Sequence, residues 1–138
     1  MLDPSNKAHA HADRRLRAEP VAWLTTVRAD GQPQSTPVWF LWDGETVLLY
    51  SQPDAPKVGN VTANPRVSLH LNDDGTGDDV VTLEGAGTVE PDTPRADRVA
   101  GYLAKYQAAI AALGYEPGPF ARTYSTAIRV RPTRARVW

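Results

Sequence analysis

The chain of 138 residues contains no cysteine. That excludes disulfides, thiolate metal sites and cysteine nucleophiles, and it fits a reducing compartment, so a cytoplasmic protein is expected. No apolar run approaches the ~20 residues needed to cross a bilayer. The opening MLDPSNKAHAHADRRLRAEP lacks the apolar core of a secretory signal. Without such a signal, Asn60-Val61-Thr62 is a bare match to a glycosylation acceptor and carries no weight. The net charge is −1, which leaves no overall field for nucleic acid or a membrane surface, and neither is expected as a partner. No Walker loop, dinucleotide fingerprint, internal repeat, linker or low-complexity block is present. The length fits one domain over residues 1–138, able to bury roughly two-thirds of its unfolded surface without a metal or disulfide staple.

What is present reads as mainly β. Ser5 can cap a short helix reaching about Arg17, within residues 1–18, and a barrel is expected from residue 20 to 138. β-rich runs at 21–28, 34–42 and 46–51 are separated by Asp30-Gly31 and Asp43-Gly44. Asp-Gly between such runs signals hairpins, so the three read as an antiparallel meander. Asp54 can cap a helix over 55–63, with Pro56 in its first turn and Asn64-Pro65 ending it. A strand at 66–71 and the acidic turn NDDGTGDD follow. The strand at 80–90 carries Gly85 and Gly87, a pattern that marks a bend or a close backbone approach.

Thr93 can cap a second long helix near 94–113. Val99, Tyr102, Leu103, Tyr106, Ile110 and Leu113 share its apolar face, and Gly114 closes it. After a loop holding Pro117, Gly118 and Pro119, residues 125–138 read as a last strand. Ile128 and Val130 are even-numbered while Val137 is odd, so a bulge is expected near Pro132-Thr133. About six strands and three helices, with tight turns and few crossovers, point to an antiparallel β-barrel with peripheral helices.

Lys57 is the oddity. It falls in the first turn of the short helix, where a cation is disfavoured by a few tenths of a kcal/mol unless an anion is bound beside it. With an anion, the lysine and the free helix amides act together. Ser51 and Asn60 can add a hydroxyl and an amide, so Ser51, Lys57 and Asn60 form a candidate phosphate site. By spacing alone the signal is weak, and a solvated surface lysine is the commoner reading of such a stretch.

Acid–base candidates are few. His70 alternates with Leu69 and Leu71, which suits a structural histidine on the opposite strand face. His9 and His11 fall on different faces of a helix, which argues against a metal pair. Tyr124 precedes the last strand. Arg122, Arg129, Arg131, Arg134 and Arg136 lie in a stretch without an acid. They read as a solvated strand face or as partners of the acidic region at 72–97, since no base-stacking aromatics are interleaved.

The run GQPQSTPVWFLWDGETVLLYS, then Lys57, then NPRVSL, resembles the pyridoxamine 5′-phosphate oxidase-like split-barrel superfamily. More narrowly, WLTTVRADGQPQSTPVWFLWDG is similar to the actinobacterial branch that uses the deazaflavin coenzyme F420. The resemblance covers nearly the whole chain. It implies a six-stranded split barrel, and a homodimer with cofactor sites at the subunit interface. Members that bind flavin mononucleotide (FMN) tend to carry Arg before the phosphate-binding Lys, where this chain has Pro56, and a basic residue late in the second strand, where it has none. The departures favour F420 over FMN.

Carried over, the phosphate role falls on Ser51, Lys57 and Asn60. The ring would lie against Thr36, Pro37, Val38, Trp39 and Phe40, whose backbone groups meet its polar edge. Pro37 agrees independently, because a strand proline belongs on an edge or beside a break. Trp39 and Trp42 offer large apolar faces, either to the ring or to core and interface packing. The activity implied is hydride transfer from reduced deazaflavin to an enone, lactone or tetrapyrrole-like acceptor. The alternatives are an FMN oxidoreductase on the same fold and a carrier of F420 or haem.

Overall fold

A computed structural model describes residues 1–138. Its strands are β1 (Ala22–Val27), β2 (Pro33–Val38), β3 (Leu41–Trp42), β4 (Val47–Ser51), β5 (Arg66–His70), β6 (Val81–Val89) and β7 (Thr126–Val137). They form one seven-stranded sheet in the order β2-β1-β5-β6-β7-β4-β3. Every pairing is antiparallel. The two end strands, β2 and β3, are joined by only Trp39 and Phe40. So short a link forces the sheet to curl until its ends meet, which makes a barrel with a seam.

That seam corrects the expected strand at 34–42, and the count is seven strands, not six. The apolar run hides the break. At Phe40 the backbone takes its partners from side chains: its N–H donates to the Tyr106 hydroxyl (2.8 Å), and its carbonyl accepts from Lys105 Nζ (2.9 Å). The meander becomes two separate hairpins, β1–β2 and β3–β4. Their turns hold Gly31 and Gly44 at φ of 87° and 97°, as Asp-Gly turns require.

The bulge falls where the parity flip places it. Gly85 pairs with Pro132 and Glu84 with Arg134, which leaves Thr133 over. A side chain at Gly85 would run into the Arg131 carbonyl, so the close approach there needs glycine.

Four α-helices flank the sheet. In α1 (Lys7–Ala18) the cap is Asn6, whose side chain accepts from His9 N–H. Ser5 lies one position before the cap, and its hydroxyl donates to Asp3 Oδ1 (2.7 Å). α2 (Pro56–Ala63) starts after Ala55 with no side-chain cap, so Asp54 does not play that part either. α3 (Ala100–Ala112) begins later than expected, after a 3₁₀ turn at Ala96–Arg98. Thr93 spends its hydroxyl on Glu90 (3.0 Å) instead of capping a helix. The loop expected around Pro117 is a short helix, α4 (Pro117–Thr123). Its two prolines sit in the first turn, where a missing N–H costs nothing.

There are two cores. Leu24, Leu49, Leu69, Leu83 and Ile128 are fully buried inside the barrel. Outside it, Tyr102, Tyr106 and Ile110 of α3 and Phe120 of α4 cover Leu48 and Tyr50. β4 is therefore buried on both faces, which is why its sequence does not alternate. No helix is long and apolar enough to cross a membrane.

Candidate functional site: a cleft at the seam

A cavity of about 430 Å³ opens beside the seam. Pro37, Val38 and Trp39, at the end of β2, form one part of its wall. Ser51, at the end of β4, and Lys57, in the first turn of α2, form another. Tyr50 of β4, Tyr102 of α3, and Phe120 and Tyr124 at α4 form a third.

β2 pairs only with β1, so its outer edge is free. Pro33 and Pro37 share a parity on that strand, and an unpaired edge tolerates their missing N–H groups. The start of α2 offers backbone N–H groups with no side-chain cap. Lys57 stands among them half-buried, and burial holds its ammonium below the ordinary value of 10.5. No carboxylate pairs with it and no protein group accepts a hydrogen bond from it. An anion at this point would supply the counter-charge that the fold omits.

Ser51 is 2% exposed, and its hydroxyl donates to the Gln52 carbonyl oxygen (2.8 Å). Asn60 does not line the cleft. Its amide donates to Thr26 Oγ1 (3.0 Å) and Gln34 Oε1 (2.9 Å), pinning α2 to the β1–β2 hairpin. Thr36 also lies outside the wall, with its hydroxyl on the Pro37 carbonyl (3.3 Å). Phe40 is fully buried in the barrel core.

The aromatic wall is built by stacking. The Trp39 ring lies 4.8 Å from Tyr106 at 3° and 5.7 Å from Phe120 at 21°. Trp42 is elsewhere, 2% exposed in the core with its indole N–H donating to Asp13 (2.8 Å). Burial pushes the Tyr50 and Tyr106 hydroxyls up to about 12, so both keep their protons. Tyr50 and Tyr102 are wall residues that sequence reasoning missed, because both read as plain members of apolar runs.

The other candidates lie apart from the cleft. His70 Nδ1 donates to the Leu71 carbonyl oxygen (3.0 Å). His9 accepts from Asp3 N–H (3.1 Å), while His11 Nε2 lies 2.9 Å from Asp79. Arg129 and Arg131 both donate to Glu90, at 2.8 and 2.6 Å, which answers the basic last strand with the acidic region. Burial disfavours the Glu90 carboxylate, but hydrogen bonds from Arg129, Arg131 and Thr93 outweigh it and hold the group down to about 2.

The model of the pyridoxamine 5′-phosphate oxidase family matches residues 8–138. The chain belongs to this family. Within the fold, an F420 reductase is 31% identical with a TM-score of 0.68, over 89% of this chain and 94% of that one. A conserved hypothetical protein from Mycobacterium tuberculosis is 27% identical with a TM-score of 0.72, over 94% and 82% of the two chains. The haem storage protein HutZ from Vibrio cholerae shares the fold at 16% identity and a TM-score of 0.63, over 99% and 94%. No curated protein sequence matches the chain.

Proposed function

We propose that this family member is an F420-dependent oxidoreductase acting on a conjugated small molecule. One observation carries the reading: the half-buried, unpaired ammonium of Lys57 at the uncapped start of α2, beside an aromatic wall and a free strand edge. A ligand with an anionic tail and a flat head fits that combination. The 31% identity to an F420 reductase supports the deazaflavin as that ligand, as does Pro56 before Lys57.

Lys57 and the first amides of α2 would hold the phosphate, with Ser51 beside them as an acceptor for a protonated or water-bridged group. The free edge of β2 from Thr36 to Val38 would meet the polar side of the ring. Trp39 and Phe120 would exclude water from it. Phe40 would shape the floor and Asn60 would fix where α2 begins, each through the contacts it already makes. When bound, the reduced deazaflavin supplies a hydride to the acceptor. Leu113, 56% exposed at the rim of the cleft, supports closure of the site by a second copy of the chain.

The test is a pair of titrations of the purified protein, one with F420 and one with FMN, followed by ligand fluorescence. Saturable F420 binding with weaker FMN binding is expected, followed by oxidation of reduced F420 when a conjugated enone is added. Preference for FMN would move the protein to flavin chemistry, and binding of neither would overturn the reading.

A further inference from the structure

Three tyrosine rings pack together at the cleft, Tyr50 and Tyr102 in its wall and Tyr106 behind them. Tyr102 meets Tyr50 edge-on (5.0 Å, 81°) and Tyr106 at a tilt (4.9 Å, 43°). All are nearly sealed, at 8%, 1% and 1% exposure for Tyr50, Tyr102 and Tyr106. Two of the hydroxyls are tied down. Tyr50 donates to the Pro94 carbonyl oxygen (2.7 Å). The Tyr106 oxygen sits 2.7 Å from the Pro20 carbonyl oxygen and accepts from Phe40 N–H at 2.8 Å.

The third hydroxyl is not. Tyr102 makes no hydrogen bond to the protein. Yet no sealed side-chain oxygen or nitrogen in the molecule lacks a partner. The sliver of Tyr102 left open must therefore include its hydroxyl oxygen, and Tyr102 is one of the residues that line the cleft. A buried hydroxyl is ordinarily given a partner by the fold. Here the fold leaves that place to whatever occupies the cleft, water or the ligand that displaces it.

We infer that Tyr102 donates a hydrogen bond to the carbonyl oxygen of the conjugated substrate. The inference rests on the reading of the cleft as a substrate site. The hydroxyl is a donor at any working pH, because burial, with the neighbouring Tyr106, Tyr50 and Tyr124 adding to it, holds its proton well above the ordinary value of 10.0. The chemistry around it selects the ligand. The cation of the cleft stands at α2, suited to an anion, whereas Tyr102 is a neutral donor among aromatic rings. A carbonyl on a flat apolar skeleton satisfies both the donor and the rings. Tyr102 thus distinguishes an enone from a hydrocarbon of the same shape.

The probes are benzylideneacetone, labelled with 13C at the carbonyl, and (E)-1-phenyl-1-butene, which keeps the carbon skeleton and lacks the oxygen. Each is titrated by calorimetry into the full chain and into Tyr102→Phe, without coenzyme. The enone should bind the variant roughly 5- to 10-fold more weakly, while the hydrocarbon binds both proteins equally. The infrared carbonyl band of the bound enone should lie lower in the wild type than in Tyr102→Phe.

Stability provides a second measurement. Tyr102→Phe should unfold at the wild-type urea concentration or above, because no protein hydrogen bond is lost, whereas Tyr106→Phe should unfold earlier. Equal enone affinities, an unshifted carbonyl band, no enone binding by the wild type, or a Tyr102→Phe loss matching that of Tyr106→Phe would each overturn the assignment. The outcomes separate the two readings. F420 binding with an unshifted band removes Tyr102 and keeps the coenzyme; a shifted band without F420 binding does the reverse.

Discussion

Lys105 Nζ lies 2.9 Å from the Phe40 carbonyl oxygen, joining α3 to the break between β2 and β3. The same ammonium stands 3.9 Å from the centre of the Phe40 ring. Together with the Tyr106 hydroxyl on Phe40 N–H, it supplies what a neighbouring strand would have supplied. The seam is thus closed by side chains of a helix outside the barrel.

That arrangement makes a prediction about alkaline pH. Burial lowers Lys105 from 10.5 to about 8. Between those values the folded protein has released a proton that the unfolded chain still binds. The contribution of this group to stability therefore rises with pH through that window, and its cost is fully present below about 8. Relative to Lys105→Met, the wild type should gain stability between pH 7 and pH 10, read from urea midpoints. A constant difference between the two proteins would contradict the lowered value.

Lys57→Ala should weaken coenzyme binding by ~1–3 kcal/mol, the range for a charge-assisted hydrogen bond. Its folding stability should not fall, because the ammonium has no protein partner to lose. Titration and thermal unfolding of the same preparation check both halves. Unchanged affinity would remove Lys57 from the site.

Two glycines should respond oppositely to alanine. Gly85→Ala drives a methyl group into the Arg131 carbonyl at the bulge and should cost ~1–3 kcal/mol. Gly59 sits inside α2 with nothing near the place a methyl would take. Gly59→Ala should stabilise by roughly 0.5–1 kcal/mol through helix propensity. Denaturant unfolding of both variants measures the contrast, and similar effects would contradict the register.

Glu90 sets the acid limit of the fold. Its folded value of about 2 lies below the ordinary 4.5, so its contribution is complete above the ordinary value and is lost as pH falls through the folded one. Glu90→Gln should lower stability at pH 7 by ~1–2 kcal/mol, since Arg129 and Arg131 lose their shared acceptor charge. It should also flatten the stability loss between pH 4.5 and pH 2. An unaltered acid profile would mean that other carboxylates dominate.

Much of the fold was legible from local chemistry. Asp30-Gly31 and Asp43-Gly44 announced the hairpins, and the parity change between Val130 and Val137 announced the bulge. The failures share a cause: partners distant in sequence overrode local signals. Thr93 looked like a cap but was claimed by Glu90. Trp39-Phe40 looked like strand interior until Tyr106 and Lys105, more than sixty positions away, took the Phe40 backbone. Pro117 and Pro119 read as loop residues, though proline in a first helical turn is neutral.

At the site, Lys57 stood out because its charge opposed the helix end. Asn60 shares its helix, but the tie to Gln34 depends on how the β1–β2 hairpin folds across, which no spacing encodes. Tyr102 carried no signal at all. Its ring follows the apolar period, and only the packed structure separates its hydroxyl from those of Tyr50 and Tyr106.

The prolines of β2 have one more effect. The curled sheet ends in two margins, and both resist aggregation by strand addition. Pro33 and Pro37 interrupt the row of donors along β2, and β3, at two residues, is too short to template another chain. The break that leaves room for a ligand therefore does not leave a long open row of main-chain donors on which a second chain could polymerise.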